Sequence, residues 1–233
     1  MSLAQVGLSR EYMSYNDFEE LMCESDKGSH HGYQRFYYPI LIRYQHQPLR
    51  FLEIGVADGA SMNIWKKFFS RPNHIYGIGY KNQQKQYKQE VDNTMTLFMG
   101  DQSNECFLKE FIYDSKGNFD IIVDDGSHVP SHVITSFEVL WETLKPGGYY
   151  IIEDIETSYW SKKMSIYGYS LKNEGSVVDY FKNVTDEVNN EFRSRPTSQI
   201  GSISFMYNMI ILQKKGKDDT NFINRPYRFQ QSL

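Results

Sequence analysis

The chain carries only two cysteines in 233 residues, Cys23 and Cys106. Two distant thiols make neither a disulfide framework nor a metal-ligand spacing, and free thiols fit a reducing compartment. No apolar run approaches the roughly 20 residues that a membrane span needs. No basic-apolar-small leader opens the sequence, so the expected location is cytoplasmic, without a membrane partner. A basic excess is missing too. The net charge is −4 and the pI about 5.9, whereas a chain that lives by phosphate contacts needs a concentrated basic stripe. The one dense stretch, Lys214-Lys215-Gly216-Lys217, is short and reads as a solvated strand end, so nucleic acid is not an expected partner. Internal repeats, low-complexity blocks and linkers are lacking. One domain is expected over residues 1–233, with a helical cap segment at 1–48, a core at 49–215 and a tail at 216–233.

What is present is a globular composition, 40% hydrophobic. Eighteen Tyr and fifteen Phe suit a large core and a ring-lined cleft, though ordinary packing accounts for most of them.

Hydrophobic periodicity gives an alternating order of elements. Helices are expected at Met13 to Met22 and Tyr33 to Tyr44, separated by a polar loop from Ser25 to Gly32. Strands follow at Phe51 to Val56, His74 to Tyr80, Thr94 to Met99, Phe119 to Val123 and Tyr149 to Ile152. Between them lie helices at Ala60 to Phe69, Asn104 to Tyr113 and Ser131 to Leu144, and a polar helical stretch through Gln89. A helix around Ser176 to Asn190 precedes the runs Ile200 to Tyr207 and Met209 to Gln213. Strands alternating with helices argue for a parallel sheet covered on both faces. The last two runs lie too close for a parallel crossover and must form an antiparallel hairpin. The expected architecture is α/β and Rossmann-like, with seven strands.

Two strand ends carry the chemistry. Phe119 to Val123 runs into Asp124-Asp125-Gly126-Ser127-His128, and Gly148 to Ile152 runs into Glu153-Asp154. Neighbouring parallel strands lie ~4.8 Å apart, so Asp125, Glu153 and Asp154 would converge, with His128 close by. Carboxylates crowded in one cleft raise each other's pKa unless a cation sits among them. Three oxygen donors, with no cysteine or paired-histidine set, favour a hard divalent ion, foremost Mg²⁺. Such an ion would acidify a bound hydroxyl, and His128 would take its proton near neutral pH. Taken singly, an Asp-Asp at a strand end can be a helix cap, and His128 an ordinary loop histidine. His132, one turn on, is expected to be structural, and the adjacent His30-His31 are not expected to share an ion.

The first strand leads into Glu53-Ile54-Gly55-Val56-Ala57-Asp58-Gly59, where glycine permits a tight turn and the next helix points its amide end into the crevice. This resembles motif I of the S-adenosylmethionine (SAM) methyltransferases, although a dinucleotide-binding turn looks similar. The order of five βα units and a hairpin is that of the class I methyltransferase fold. More specifically, Val123-Asp124-Asp125-Gly126-Ser127-His128, Leu144-Lys145-Pro146-Gly147-Gly148 and Ile152-Glu153-Asp154-Ile155-Glu156-Thr157-Ser158-Tyr159-Trp160 resemble the metal-dependent sugar O-methyltransferases of macrolide biosynthesis. Rhamnosyl O-methyltransferases and proteins labelled cephalosporin hydroxylases form part of that group. The resemblance covers roughly Asp26 to Trp160 and the terminal hairpin.

It implies a SAM- and Mg²⁺-dependent transfer of a methyl group to a sugar hydroxyl of a glycan or glycosylated small molecule. Asp125, Glu153 and Asp154 would bind the metal, with His128 as base and Asp125 beside it in catalysis. The cofactor would lie on Glu53, Gly55, Ala57, Gly59 and Ser61, with Asp101, Gln102 and Ser103 at the adenine and Asp124 beside the sulfur. The segment Ser25 to Tyr33 would fold over it, with Lys27 or Ser29 near the methionine carboxylate. One departure stands out: Gly77-Ile78-Gly79-Tyr80 has no acid for the ribose, which leaves Tyr80, Asn82, a backbone group or water. Tyr159, Trp160 and the loop through Tyr169 are lid candidates or core aromatics. Alternatives are a catechol-type small-molecule O-methyltransferase and a non-catalytic protein that keeps the fold. An oxygenase fits less well, because no His-rich iron triad is present. The acceptor's identity and any homo-oligomer are left open.

Overall fold

The computed structural model describes residues 11–80, 87–160, 175–188 and 199–217. Asn82, the loop through Tyr169, the helix end at Asn190 and the tail from 218 lie outside the described residues.

Three helical pieces come first: α1 (Tyr15–Met22), α2 (Asp26–Ser29) and α3 (Gln34–Leu41). Ser14 starts α1 by accepting from the Asp17 N–H at 3.2 Å, and Phe18 and Met22 bury its apolar stripe. The helix α2 lies within the expected loop of Ser25 to Gly32 and is a single turn that periodicity could not register. Then come β1 (Arg50–Ile54), α4 (Ala60–Phe68), β2 (His74–Gly79), β3 (Lys88–Asp92) and β4 (Met95–Met99). These are followed by α5 (Glu105–Ser115), β5 (Phe119–Asp124), α6 (Pro130–Leu140), β6 (Leu144–Glu153), α7 (Val177–Val184), β7 (Ile200–Met206) and β8 (Met209–Lys214). Asn104 caps α5, accepting from the N–H groups of Cys106 and Phe107. Pro130 opens α6, where its missing N–H costs nothing.

The strands form one eight-stranded sheet in the order β3-β4-β2-β1-β5-β6-β8-β7. The pairs β1·β2, β1·β5, β2·β4 and β5·β6 are parallel, while β6·β8 and β7·β8 are antiparallel. This is the expected Rossmann-like methyltransferase fold with its terminal hairpin, but with eight strands instead of seven. The additional one is β3, an antiparallel edge on β4, where the sequence suggested the end of a polar helix. Its residues are largely exposed, so no apolar alternation marks it. Open backbone groups on β4 recruit it instead. A second correction concerns the strand expected from Tyr149 to Ile152, which begins earlier, at Leu144, and takes in Pro146-Gly147-Gly148. Those residues lie inside β6, at an irregularity in its pairing with β5 between Phe119 and Ile121.

Alternate strand residues feed two cores. Leu52, Ile122, Tyr150 and Leu212 pack with Phe111 and Phe137 on one face. Phe51, Ile121, Ile151 and Ile211 pack with Trp65, Phe68 and Tyr37 on the other. The strand order reverses between β1 and β5, which is where open α/β sheets bind ligands. Register sets what meets there: Ile54 lies opposite Asp124, and Asp124 opposite Ile152. The residues after each strand therefore emerge level with one another. Among the described residues, no helix is long and apolar enough to cross a membrane.

Candidate active site

At this edge the ligand atoms of Asp125, His128 and Asp154 all lie within 4.8 Å of one another. His128 Nε2 is 3.8 Å from Asp125 Oδ1 and 3.7 Å from Asp154 Oδ2. Each side chain keeps about a fifth of its surface exposed, so the cluster opens to the cleft. Both His128 and Asp154 adopt left-handed backbone conformations, with φ of 55° and 54°. Non-glycine residues seldom do so outside sites that demand it.

Glu153, expected in the same set, points elsewhere. Its two oxygens each accept from Lys27 Nζ at 2.9 Å, and Tyr37 donates to Oε1. Lys27 also lies 2.5 Å from Asp125 Oδ2. It stands 3.1 Å from Glu53 Oε1, an ion pair without hydrogen-bond geometry, so that oxygen has a countercharge but no donor. Lys27, expected with Ser29 as a candidate near the methionine carboxylate, is thus a buried cation among carboxylates. Burial by itself would lower its pKa, but Glu153, Asp125 and Glu53 together hold it well above the ordinary lysine value. Burial pushes the carboxyl of Glu153 up, and Lys27 opposes that rise.

Asp154 has its own supports. Tyr33 Oη donates to Asp154 Oδ1 at 2.5 Å, and Asn208 Nδ2 reaches the same oxygen at 3.2 Å. Burial and the bond to Asp154 drive the Tyr33 hydroxyl far above an ordinary phenol, so it remains a donor. Sequence reasoning missed Tyr33, Tyr37 and Asn208. The first two read as helix residues and the third as a hairpin spacer. Their partners lie up to 175 positions away, where no local pattern reaches.

Next to the cluster is a cavity of about 440 Å³ whose lining includes Gly55, Ala57, Tyr80, Asp101, Gln102 and Asp125. Gly55 has φ 99°, and a Cβ there would come within 1.7 Å of the Asp125 carbonyl oxygen. The crossing of the β1 and β5 loops therefore requires glycine. Tyr80 is largely exposed and stands at the end of β2, where no acid is available.

The other expected cofactor residues are placed differently. Glu53 is fully buried behind the cavity, accepting from Ser61 Oγ at 2.7 Å and Trp65 Nε1 at 3.0 Å. Ser61 is thereby also turned inward. Asp124, expected beside the methyl donor, is an internal tie: Ser136 Oγ donates to it at 2.5 Å and Gln102 Nε2 at 3.0 Å. Burial raises its pKa against those bonds. Gln102 completes the brace by accepting from the Ser127 N–H at 2.6 Å. Ser103 closes a turn on Asp101, and Gly59 caps α4 with φ 91°; neither lines the cavity. His132, expected to be structural, bonds Ser127 Oγ at 3.0 Å and is also among the residues lining this cavity.

A second cavity of about 460 Å³ lies on the Asp154 side, lined by His30, His31, Glu156, Tyr159, Tyr207 and Asn208 among others. His31 Nδ1 is 3.7 Å from Asp154 Oδ1, and one carboxylate oxygen of Glu156 is buried without a partner.

Comparison with known proteins bears on the fold that holds these residues. Residues 52–155 match the family model of a methyltransferase domain. The 8-demethyl-8-alpha-L-rhamnosyl tetracenomycin-C 2'-O-methyltransferase of Streptomyces olivaceus is 30% identical over 86% of this chain and 55% of its own length. The mycinamicin VI 2''-O-methyltransferase of Micromonospora griseorubida is 34% identical over 76% of this chain and 46% of its own. The structure of MycE, a methyltransferase of the mycinamycin biosynthetic pathway in complex with Mg, SAH and mycinamycin VI, aligns with a TM-score of 0.71 at 31% identity. That alignment covers 87% of this chain and 56% of MycE. The chain spans about half the length of the curated relatives it matches. Residues 52–155 thus resemble a methyltransferase domain, and the chain is similar over most of its length to the macrolide and tetracenomycin sugar O-methyltransferases.

Proposed function

We propose that the chain is a SAM- and Mg²⁺-dependent O-methyltransferase whose acceptor is a sugar hydroxyl on a glycan or glycosylated small molecule. The observation that carries this reading is the Asp125–His128–Asp154 cluster standing against two cavities. Asp125 lines one of them. The other is lined by Asn208 and His31, which lie on Asp154.

The residues fit both groups. Asp125 and Asp154 offer hard oxygen ligands in an open cleft, beside an imidazole, which suits a small divalent ion. The first cavity is large enough for a nucleoside and lies where the strand order reverses, the place at which open α/β sheets bind ligands. When bound, SAM supplies the methyl group and Mg²⁺ lowers the pKa of the acceptor hydroxyl.

The chain's own residues do the rest. Gly55, Ala57, Tyr80 and Asp101 form the cofactor's walls, with Gln102 bracing the β4 and β5 loops around it. Asp125 and Asp154 hold the ion. Glu153 adds negative charge nearby while its oxygens stay with Lys27. His128 takes the proton of the acceptor hydroxyl, and the strained loop that bears it fixes the direction of its Nε2. The second cavity receives the sugar ring, with Tyr159 and Tyr207 as its aromatic walls. Glu156 adds a carboxylate to the lining of the same cavity. The names of the relatives support a sugar over a catechol.

Calorimetric titration with S-adenosylhomocysteine and Mg²⁺ tests the reading, followed by transfer of labelled methyl from SAM to a rhamnosylated acceptor. Binding of both ligands and labelled product are expected. A chain that binds neither ligand is not a methyltransferase.

A further inference from the structure

Asp125 and Asp154 share an arrangement that neither the fold nor the sequence requires. Each has one carboxylate oxygen tied down by a side chain from the N-terminal segment and the other turned toward His128. For Asp125, Lys27 takes Oδ2 at 2.5 Å, and Oδ1 faces His128 Nε2. For Asp154, Tyr33 takes Oδ1 at 2.5 Å, and Oδ2 faces His128 Nε2.

The hold on Asp154 is doubled. Asn208 Nδ2 donates to Asp154 Oδ1 at 3.2 Å and to Tyr33 Oη at 2.8 Å. A phenol has one proton, and its short contact with a carboxylate claims it; Tyr33 therefore donates to Asp154 and accepts from Asn208. Asn208 is locked in turn, for its Oδ1 accepts from the Glu156 N–H at 2.7 Å. Its φ of 59° belongs to the hairpin turn between β7 and β8, a position that asparagine and glycine tolerate. Tyr33 is fully buried, with the ring of His31 stacked on it at 4.9 Å. Two segments from opposite ends of the described chain thus meet on one oxygen of a residue held at φ 54°.

We propose that Tyr33 and Asn208 are positioning residues that fix Asp154 so that Oδ2 is presented to the divalent ion, as Lys27 presents Oδ1 of Asp125. The inference rests on the metal-dependent reading above. It assigns the C-terminal hairpin a task at the site, and it explains why a buried tyrosine and a turn asparagine converge there. Both residues bond Asp154 through Oδ1, the oxygen turned away from His128, and Asn208 also lines the second cavity, so metal affinity and not turnover is the readout that isolates them. Their effect on metal binding is through the aim of Asp154, as with hydrogen-bond partners that orient metal ligands elsewhere.

The experiment is a Mn²⁺ titration of the full chain, followed by electron paramagnetic resonance, for wild type, Tyr33→Phe and Asn208→Gly. The first variant removes one hydroxyl. The second keeps a residue suited to the turn and deletes all three side-chain bonds, to Asp154, Tyr33 and the Glu156 N–H. S-adenosylhomocysteine affinity, set by the other cavity, serves as the control for folding. Each variant is expected to bind Mn²⁺ roughly 10- to 100-fold more weakly, with its S-adenosylhomocysteine affinity within about twofold of wild type. Wild-type Mn²⁺ affinity in a variant that still binds S-adenosylhomocysteine would overturn the inference and leave the metal site standing. A wild-type chain that takes S-adenosylhomocysteine but no Mn²⁺ would remove the metal-dependent reading itself, and this inference with it.

Discussion

Lys27 Nζ lies 2.5 Å from Asp125 Oδ2, across 98 positions of sequence. That contact brings the N-terminal segment into the site: among the described residues, α2 carries the lysine found among Glu53, Asp125 and Glu153. Without it, carboxylates gathered by the sheet's register would have only water and an ion to screen them.

Replacing that cation tests its weight. Lys27→Met leaves a similar volume but strands buried carboxylates, and breaking a buried ion pair from one side costs about 3–5 kcal/mol. For a domain of this size the melting temperature should fall by on the order of 10 °C. Denaturation at neutral pH checks this, and an unchanged midpoint would show that the cluster is already neutralised by protonation.

Gly55 and Gly59 both have positive φ, but differ in their surroundings. A Cβ at Gly55 meets the Asp125 carbonyl oxygen at 1.7 Å, whereas one at Gly59 meets nothing within 4 Å. Gly59→Ala should lose only the backbone preference, about 1–2 kcal/mol. Gly55→Ala adds overpacking of roughly 1–3 kcal/mol and forces the two loops apart, so S-adenosylhomocysteine binding should fall with stability. Urea midpoints of the pair check the difference.

His74 gives a pH dependence of known sign. Burial first, then Arg50, lowers its pKa below the ordinary histidine value, while its Nε2 pairs with Thr96 Oγ1 at 2.8 Å. Unfolded, it takes a proton near 6.5; folded, it does so only at lower pH. Between those values the unfolded state holds more protons, so stability rises with pH. The contribution is complete above about 6.5 and is lost as pH falls through the folded value. Buried Glu53 and Asp124 have raised values and tilt stability the other way, so the comparison is between wild type and His74→Gln. Urea midpoints from pH 5 to 8 should converge toward the acid end.

His128→Ala should cut methyl transfer by roughly 10²- to 10⁴-fold, the usual contribution of a positioned base. S-adenosylhomocysteine binding should be unchanged, because His128 does not line that cavity. Full turnover in this variant would place the base elsewhere.

Much of this was legible from strand ends. The runs closing on Asp125, Glu153 and Asp154 alternate too regularly with helices to be anything but parallel strands, and parallel register sets them level. The glycine crossing at Gly55 was legible for the same reason. What could not be read was direction. Asp124, Glu53 and Ser61 stand at motif positions yet turn into the interior, because Ser136, Gln102 and Trp65 offer them buried partners. Glu153 turns from Asp154 toward Lys27 and Tyr37, which lie 126 and 116 positions away. The strand β3 has no apolar alternation to betray it, since its side chains are largely exposed and polar.

The most direct test is a crystal structure of the chain with S-adenosylhomocysteine and Mg²⁺. The account predicts the nucleoside in the cavity between Gly55 and Gln102, and an ion held by Asp125 Oδ1 and Asp154 Oδ2 with His128 beside it. An ion bound away from both aspartates, or none at saturating Mg²⁺, would contradict it.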